Sequence, residues 1–186
     1  MTSACEKGHP VIVISGQPGS GKSTYARRLA SDLGLRYYTS GQAFRDLARS
    51  LGVSLVELNR AAERDPSIDL KIDEAMYREA LKGCVVIDSH LAGWLLREVA
   101  DVTIYVKAPL PERVRRIAAR DGKGQDEALE DAASREVSHW SRFAAYYGVD
   151  LRDLSSYDLV VDTSRMGVEE VYQVILTFVK NALGLR

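Results

Sequence analysis

Eight residues near the amino terminus restrict the possible folds more than any others. Gly16-Gln17-Pro18-Gly19-Ser20-Gly21-Lys22-Ser23 follows the apolar run Val11-Ile12-Val13-Ile14 after the single residue Ser15, and a helix-forming run from Ser23 to Leu33 comes next. The pattern G-x-x-x-x-G-K-S between a strand and a helix is that of a phosphate-binding loop. Its glycines let the backbone wrap close to an anion so that successive N–H groups point at phosphate oxygens, and the following helix adds the positive end of its dipole. Residues Gly16 to Thr24 would surround the phosphates of a nucleoside triphosphate. Lys22 would reach the β- and γ-phosphates, and Ser23 would ligate Mg²⁺.

A strand that delivers such a loop into a helix belongs to an alternating chain, and the remaining sequence alternates. Candidate strands are Val11–Ser15, Arg36–Thr39, Cys84–Asp88, Val102–Val106 and Tyr157–Val161, most of them continuous apolar runs rather than polar/apolar alternations. Such strands, separated by helical patterns, imply a parallel sheet covered on both faces, a three-layer α/β fold. Ser54 with Glu57 forms a capping box, Asp65-Pro66 reads as an N-cap with proline at the first helical position, and Pro111 opens a further helix. Val168, Val171, Tyr172, Ile175, Phe178, Val179 and Ala182 form one stripe of a terminal helix. The polar run Asp121 to Asp131, with Gly122 and Gly124 near its start, reads as the tip of a movable lid. At 186 residues, with no repeat and no Gly/Pro/Ser-rich linker, one domain is expected.

Charge narrows the choice of ligand. Lys and Arg number 25 against 26 Asp and Glu, so a nucleic-acid partner, which calls for a basic excess, is not expected and a small ligand is. No apolar run is long enough for a membrane span or a signal sequence, which makes the cytoplasm the expected location. Cys5 and Cys84 stand alone, without a CxxC pair, and read as separate structural thiols in a reducing compartment.

Val85-Val86-Ile87-Asp88 ends an apolar strand in a carboxylate that suits the Mg²⁺ ion, although an Asp that only caps a turn fits too. No N-K-x-D segment of a guanine-nucleotide switch is present. Arg113, Arg115, Arg116 and Arg120 precede the lid tip, and Arg135 and Arg142 follow it. Their spacing puts Arg116 with Arg120 on one face and Arg135 with Arg142 on another, so a closing lid could lower guanidinium groups onto a polyanion. A solvated basic surface paired with Glu112, Glu130 and Glu136 is the plainer alternative. If the acceptor is a phosphate monoester, its second pKa near 6 leaves it mostly ionised and no general base is required.

Several further segments, Tyr38-Thr39-Ser40-Gly41-Gln42-Ala43-Phe44-Arg45, Leu91-Ala92-Gly93-Trp94, Tyr105-Val106-Lys107-Ala108-Pro109, Arg135-Glu136, Arg142-Phe143, Tyr146-Tyr147-Gly148-Val149-Asp150 and Tyr157 through Ser164, complete a pattern that runs nearly end to end. The chain resembles the archaeal-type cytidylate kinases within the P-loop nucleoside monophosphate kinases. That resemblance implies a five-stranded parallel sheet of order 2-3-1-4-5, a monophosphate-binding segment over about 40–81 and a lid over about 120–135. It also implies Mg²⁺-dependent transfer from ATP to CMP or dCMP by a monomer. Ser40 and Arg45 would hold the monophosphate, with His90, Trp94 and His139 nearby. Arg116, Thr163 and Ser164 would lie at adenine, the last two reading it mainly through backbone. Arg120 would contact the donor phosphates, and Arg135 and Arg142 would bridge both phosphates during transfer, making Lys22, Arg120, Arg135 and Arg142 the catalytic set, with Ser23 and Asp88 holding the metal. Asp88-Ser89-His90 departs from the family's usual Glu-Gly-Arg type of sequence, and His139 stands where an acidic residue is frequent. Trp94 reads either as stacking near the acceptor base or as packing. The rivals are an adenylate kinase, against which Ala92 stands where arginine is typical, and an ATP-binding regulator without turnover.

Overall fold

The protein, described by a computed structural model over residues 4–185, is organised around its first strand. β1 (Val11–Gly16) is buried along its whole length. Its side chains alternate between the two faces of the sheet, as strand geometry requires. Ile12 and Ile14 join a core with Tyr25 and Leu29 of α1 (Lys22–Leu33) and Val171, Tyr172, Ile175 and Val179 of α8 (Val168–Ala182). Val11 and Val13 join a second core with Met76 and Ala80 of α4 (Pro66–Leu81) and Ala92 of α5 (Ala92–Leu95).

β2 (Arg36–Thr39), β3 (Val85–Asp88), β4 (Val102–Lys107) and β5 (Leu159–Asp162) complete a parallel sheet of order β2-β3-β1-β4-β5, as expected. In register, Ile14 lies opposite Asp88 and Gly16 opposite Val106, which brings the phosphate loop and Asp88 together at the carboxyl edge of the sheet. Ligands bind outside that edge in open α/β sheets. The acceptor segment is three helices: α2 (Ser40–Leu51), α3 (Leu55–Ala62) and α4. The Ser54–Glu57 capping box is formed in both directions, and Asp65 accepts from the Ser67 N–H at the start of α4. No helix among the described residues is long and apolar enough to cross a membrane.

The polar run from 121 to 131 holds the turn of a helical hairpin: α6 (Leu110–Asp121) ends at the left-handed Gly122, and α7 (Gln125–Tyr147) starts right after Gly124. Ala128 in that run and Ala132 just past it are fully buried against Val114 and Ile117, and their small size lets the two helices pack closely. The last strand begins at Leu159 rather than Tyr157, whose ring packs instead against Gly93 and Tyr105. Finally, Cys5 and Cys84 are not separate thiols but a disulfide with a Cα–Cα distance of 5.2 Å. Parallel pairing of Val11 with Val85 puts the chain entering β1 and the chain entering β3 at the same edge, so residues remote in sequence meet there. His9 Nδ1 lies 3.2 Å from the Cys84 sulfur, but with the sulfurs bonded to each other the group offers no thiolate pair to a metal.

Candidate active site

The phosphate loop is held in shape by backbone geometry that few residues except glycine tolerate. Gly19 and Gly21 have φ of +79° and +97°, and a Cβ on Gly16 would fall 2.1 Å from the Val106 carbonyl oxygen. Lys22, the first residue of α1, sits within this loop. Burial lowers the pKa of its ammonium, Asp88 opposes that shift, and Arg120 and Arg113 add to it. The Ser23 hydroxyl donates to Asp88 Oδ2 at 2.5 Å. A hydroxyl and a buried carboxylate thus meet at the helix start, oxygen donors of the kind that suit Mg²⁺. Tyr37 also donates to Asp88 Oδ2, at 2.8 Å, a contact that sequence reasoning missed.

Helix α7 is the element that ties the site together. Its Glu136 accepts from the Gln17 side chain at 2.8 Å and pairs with Arg113 at 2.9 Å. Arg113, only 3% exposed, also donates to the Pro18 carbonyl, so it braces the phosphate loop from behind rather than facing a ligand. One turn on, the His139 ring lies 4.5 Å from that of His90, whose Nδ1 donates to the Gly16 carbonyl oxygen at 2.8 Å. Burial and the neighbouring cations push the pKa of His90 well down and that of His139 to about 3. Both shifts favour the neutral ring. Further along, Arg142 is buried and pairs through Nη1 with Asp69 of α4 at 3.1 Å. It also lines a cleft of about 660 Å³ shared with Glu63, Ser138 and Tyr146.

The remaining arginines are arranged differently. Arg116 donates to the Thr163 hydroxyl and carbonyl, both at 2.8 Å. The Thr163 N–H donates to Lys107 O and the Ser164 N–H to Asp162 Oδ1, which braces this turn. Arg120 is exposed and paired with Asp121; Arg135 is half exposed and paired with Asp131. Arg45 is exposed near the start of α2, with its guanidinium on Gln42, and Ser40 is the first residue of that helix. Trp94 packs against Leu91, Phe143 and Val149, the packing alternative.

The profile of the cytidylate kinase-like family matches residues 11–165, from the first strand past the last. The chain belongs to the cytidylate kinase-like family. Among its relatives, a cytidylate kinase of Ignicoccus hospitalis is 54% identical over 89% of this chain and 96% of its own. One from Aeropyrum pernix is 55% identical over 88% and 95%. A solved shikimate kinase from Acinetobacter baumannii shares the fold, with a TM-score of 0.61 at 17% identity, over 94% of this chain and 95% of that one. Within this cytidylate kinase-like chain, the residues that sequence reasoning did not single out are Tyr37, Asp69 and Asp73. Asp69 and Asp73 lie one turn apart on α4 beside the core residues Ile72 and Met76.

Proposed function

We propose that the chain is a cytidylate kinase that transfers the γ-phosphoryl group of ATP to CMP, with dCMP as a second acceptor, yielding ADP and CDP. It acts as a monomer in the cytoplasm, as one domain with an acceptor segment over about 40–81 and a lid over about 120–135. The observation that carries this reading is that α7 reaches the phosphate loop through Glu136 on Gln17, and through His139 by way of His90, and the acceptor segment through Arg142. A passive ATP binder has no use for that second connection.

The acceptor phosphate is already mostly ionised at neutral pH, so the protein has to align two anions, offset their repulsion and exclude water. Lys22 and the backbone of the loop hold the donor phosphates. Arg116 and Thr163 form the adenine side, and Ser40 and Arg45 take the acceptor phosphate. Arg120 and Arg135 exchange Asp121 and Asp131 for phosphate oxygens when the nucleotides arrive, while Arg142 approaches from the acceptor side. His90, His139 and Trp94 shape the acceptor pocket as neutral groups. Ser23 and Asp88 would hold Mg²⁺, which supplies further charge neutralisation on the donor phosphates.

A coupled assay with ATP, Mg²⁺ and each nucleoside monophosphate is expected to give the highest kcat/KM with CMP. A tenfold preference for AMP would move the chain to the adenylate kinases, and ATP binding without turnover would make it a regulator. Lys22→Ala is expected to lower transfer to any acceptor by at least about 100-fold; retention of most activity would remove Lys22 from its role.

A further inference from the structure

The contact between Arg142 and Asp69 is incomplete in a way that points to function. Both side chains are buried, yet only one hydrogen bond, Nη1 to Oδ1 at 3.1 Å, joins them. Arg142 Nε and Asp69 Oδ2 have no hydrogen-bond partner among the described residues. A buried guanidinium whose only purpose was to neutralise a carboxylate would present its two-nitrogen edge to both oxygens, because the bidentate pair is the stronger arrangement. Here the carboxylate grips one corner and leaves the Nε edge over.

The neighbouring contacts make this grip rigid. Tyr147, further along α7, donates to Asp73 Oδ2 at 2.5 Å, one turn along α4 from Asp69, and Tyr146 donates to the Ala62 carbonyl at 2.9 Å. Helix α7 is thus fixed to the acceptor segment at three points. Toward the phosphate loop, Arg142 follows His139 on α7 by three residues, and the His139 ring lies against His90, which donates to the Gly16 carbonyl oxygen. The guanidinium thus sits on the helix that reaches the phosphate loop while its orientation is set from α4.

We propose that Asp69 is a positioning residue for phosphoryl transfer: by holding Arg142 at Nη1 it presents the unpartnered Nε edge to the transferring phosphoryl group. This inference rests on the kinase reading given above. Asp69 itself touches no phosphate, since its charge would repel one. Its effect comes entirely through Arg142, and depends on where its oxygen sits more than on its charge.

The test measures kcat and both KM values, with melting temperatures, for Asp69→Ala, Asp69→Asn, Asp69→Glu, Arg142→Ala and the double Asp69→Ala/Arg142→Ala variant. Asp69→Ala is expected to lower kcat about 100-fold with KM for ATP changed less than about twofold. Asp69→Asn, which keeps an oxygen in the same place, recovers at least about tenfold of that loss, whereas Asp69→Glu, which keeps the charge but displaces it, does not. In the Arg142→Ala background the loss of Asp69 adds less than about twofold, because residues acting as a unit are not additive. Full activity in Asp69→Ala, multiplicative losses in the double variant, or rescue by Glu and not by Asn would each overturn the proposal. If Asp69→Ala does not fold, the Asn and Glu pair decides. A wild-type protein inactive toward CMP would refute the kinase reading instead, and is told apart by that control.

Discussion

At the scale of single residues, His139 is a group whose proton count changes on folding. Its ring stacks on Phe143 and lies against His90; burial, then Arg142, Lys22 and Arg135, hold its pKa down to about 3. In the unfolded chain the same ring titrates near pH 6.5. Between those values the folded protein holds fewer protons on it, so the stability it contributes is full above pH 6.5 and is lost as the pH falls toward 3. The unfolding free energy of wild type relative to His139→Gln is expected to drop by about 2 kcal/mol between pH 7 and pH 5. Urea unfolding at both pH values measures it; a pH-independent difference would mean that the ring is already solvated. The phosphate loop was readable in the sequence because its residues act through local backbone shape. The His90–His139 contact and the burial of Asp69 were not, because each is made by a helix laid down much later in the chain. An Asp one turn from another Asp on a polar helix looks like a solvated face until α7 covers it.

At the scale of elements, the short helix α5 depends on a missing side chain. The Gly93 N–H donates to the Ser15 hydroxyl at 3.2 Å, fixing α5 to the end of β1. A Cβ at Gly93 would lie 2.0 Å from the Tyr157 ring, which itself packs on Tyr105. Gly93→Ala is therefore expected to overpack this junction, costing about 2 kcal/mol and lowering Tm by roughly 4–8 °C. Calorimetry checks it: Gly93→Ala/Tyr157→Leu regains part of the loss, and an unchanged Tm in the single variant would show that the ring moves aside without cost. Helices with chemical punctuation, such as Ser54 with Glu57 and Asp65 with Pro66, were legible for the same local reasons as the loop. The segment from 121 to 131 was legible only as a polar stretch. Its helical hairpin rests on Ala128 and Ala132, and alanine gives no sign of its burial without the facing Val114 and Ile117.

At the scale of the whole molecule, the sheet has a reactive edge and a stapled edge. The order and direction of the strands were expected from the sequence, whereas the Cys5–Cys84 bond was not, because a separation of 79 residues carries no pairing signal without the parallel register that closes it. Closing a loop of that size removes much conformational freedom from the unfolded chain and stabilises the folded one by about 2–4 kcal/mol. Cys84 precedes β3, and Asp88 ends it four residues later, which at strand rise is about 13 Å away. Stability and catalysis should therefore separate. Reduction with a phosphine, or Cys84→Ser without it, is expected to lower Tm by roughly 4–16 °C. Turnover at 25 °C should stay unchanged, and the variant should no longer respond to the reductant. Equal melting of oxidised and reduced protein would mean that the amino-terminal turn is docked by packing alone. A fall in turnover that tracked reduction would mean instead that β3 transmits strain from its amino end to Asp88, making the two edges one cooperative unit.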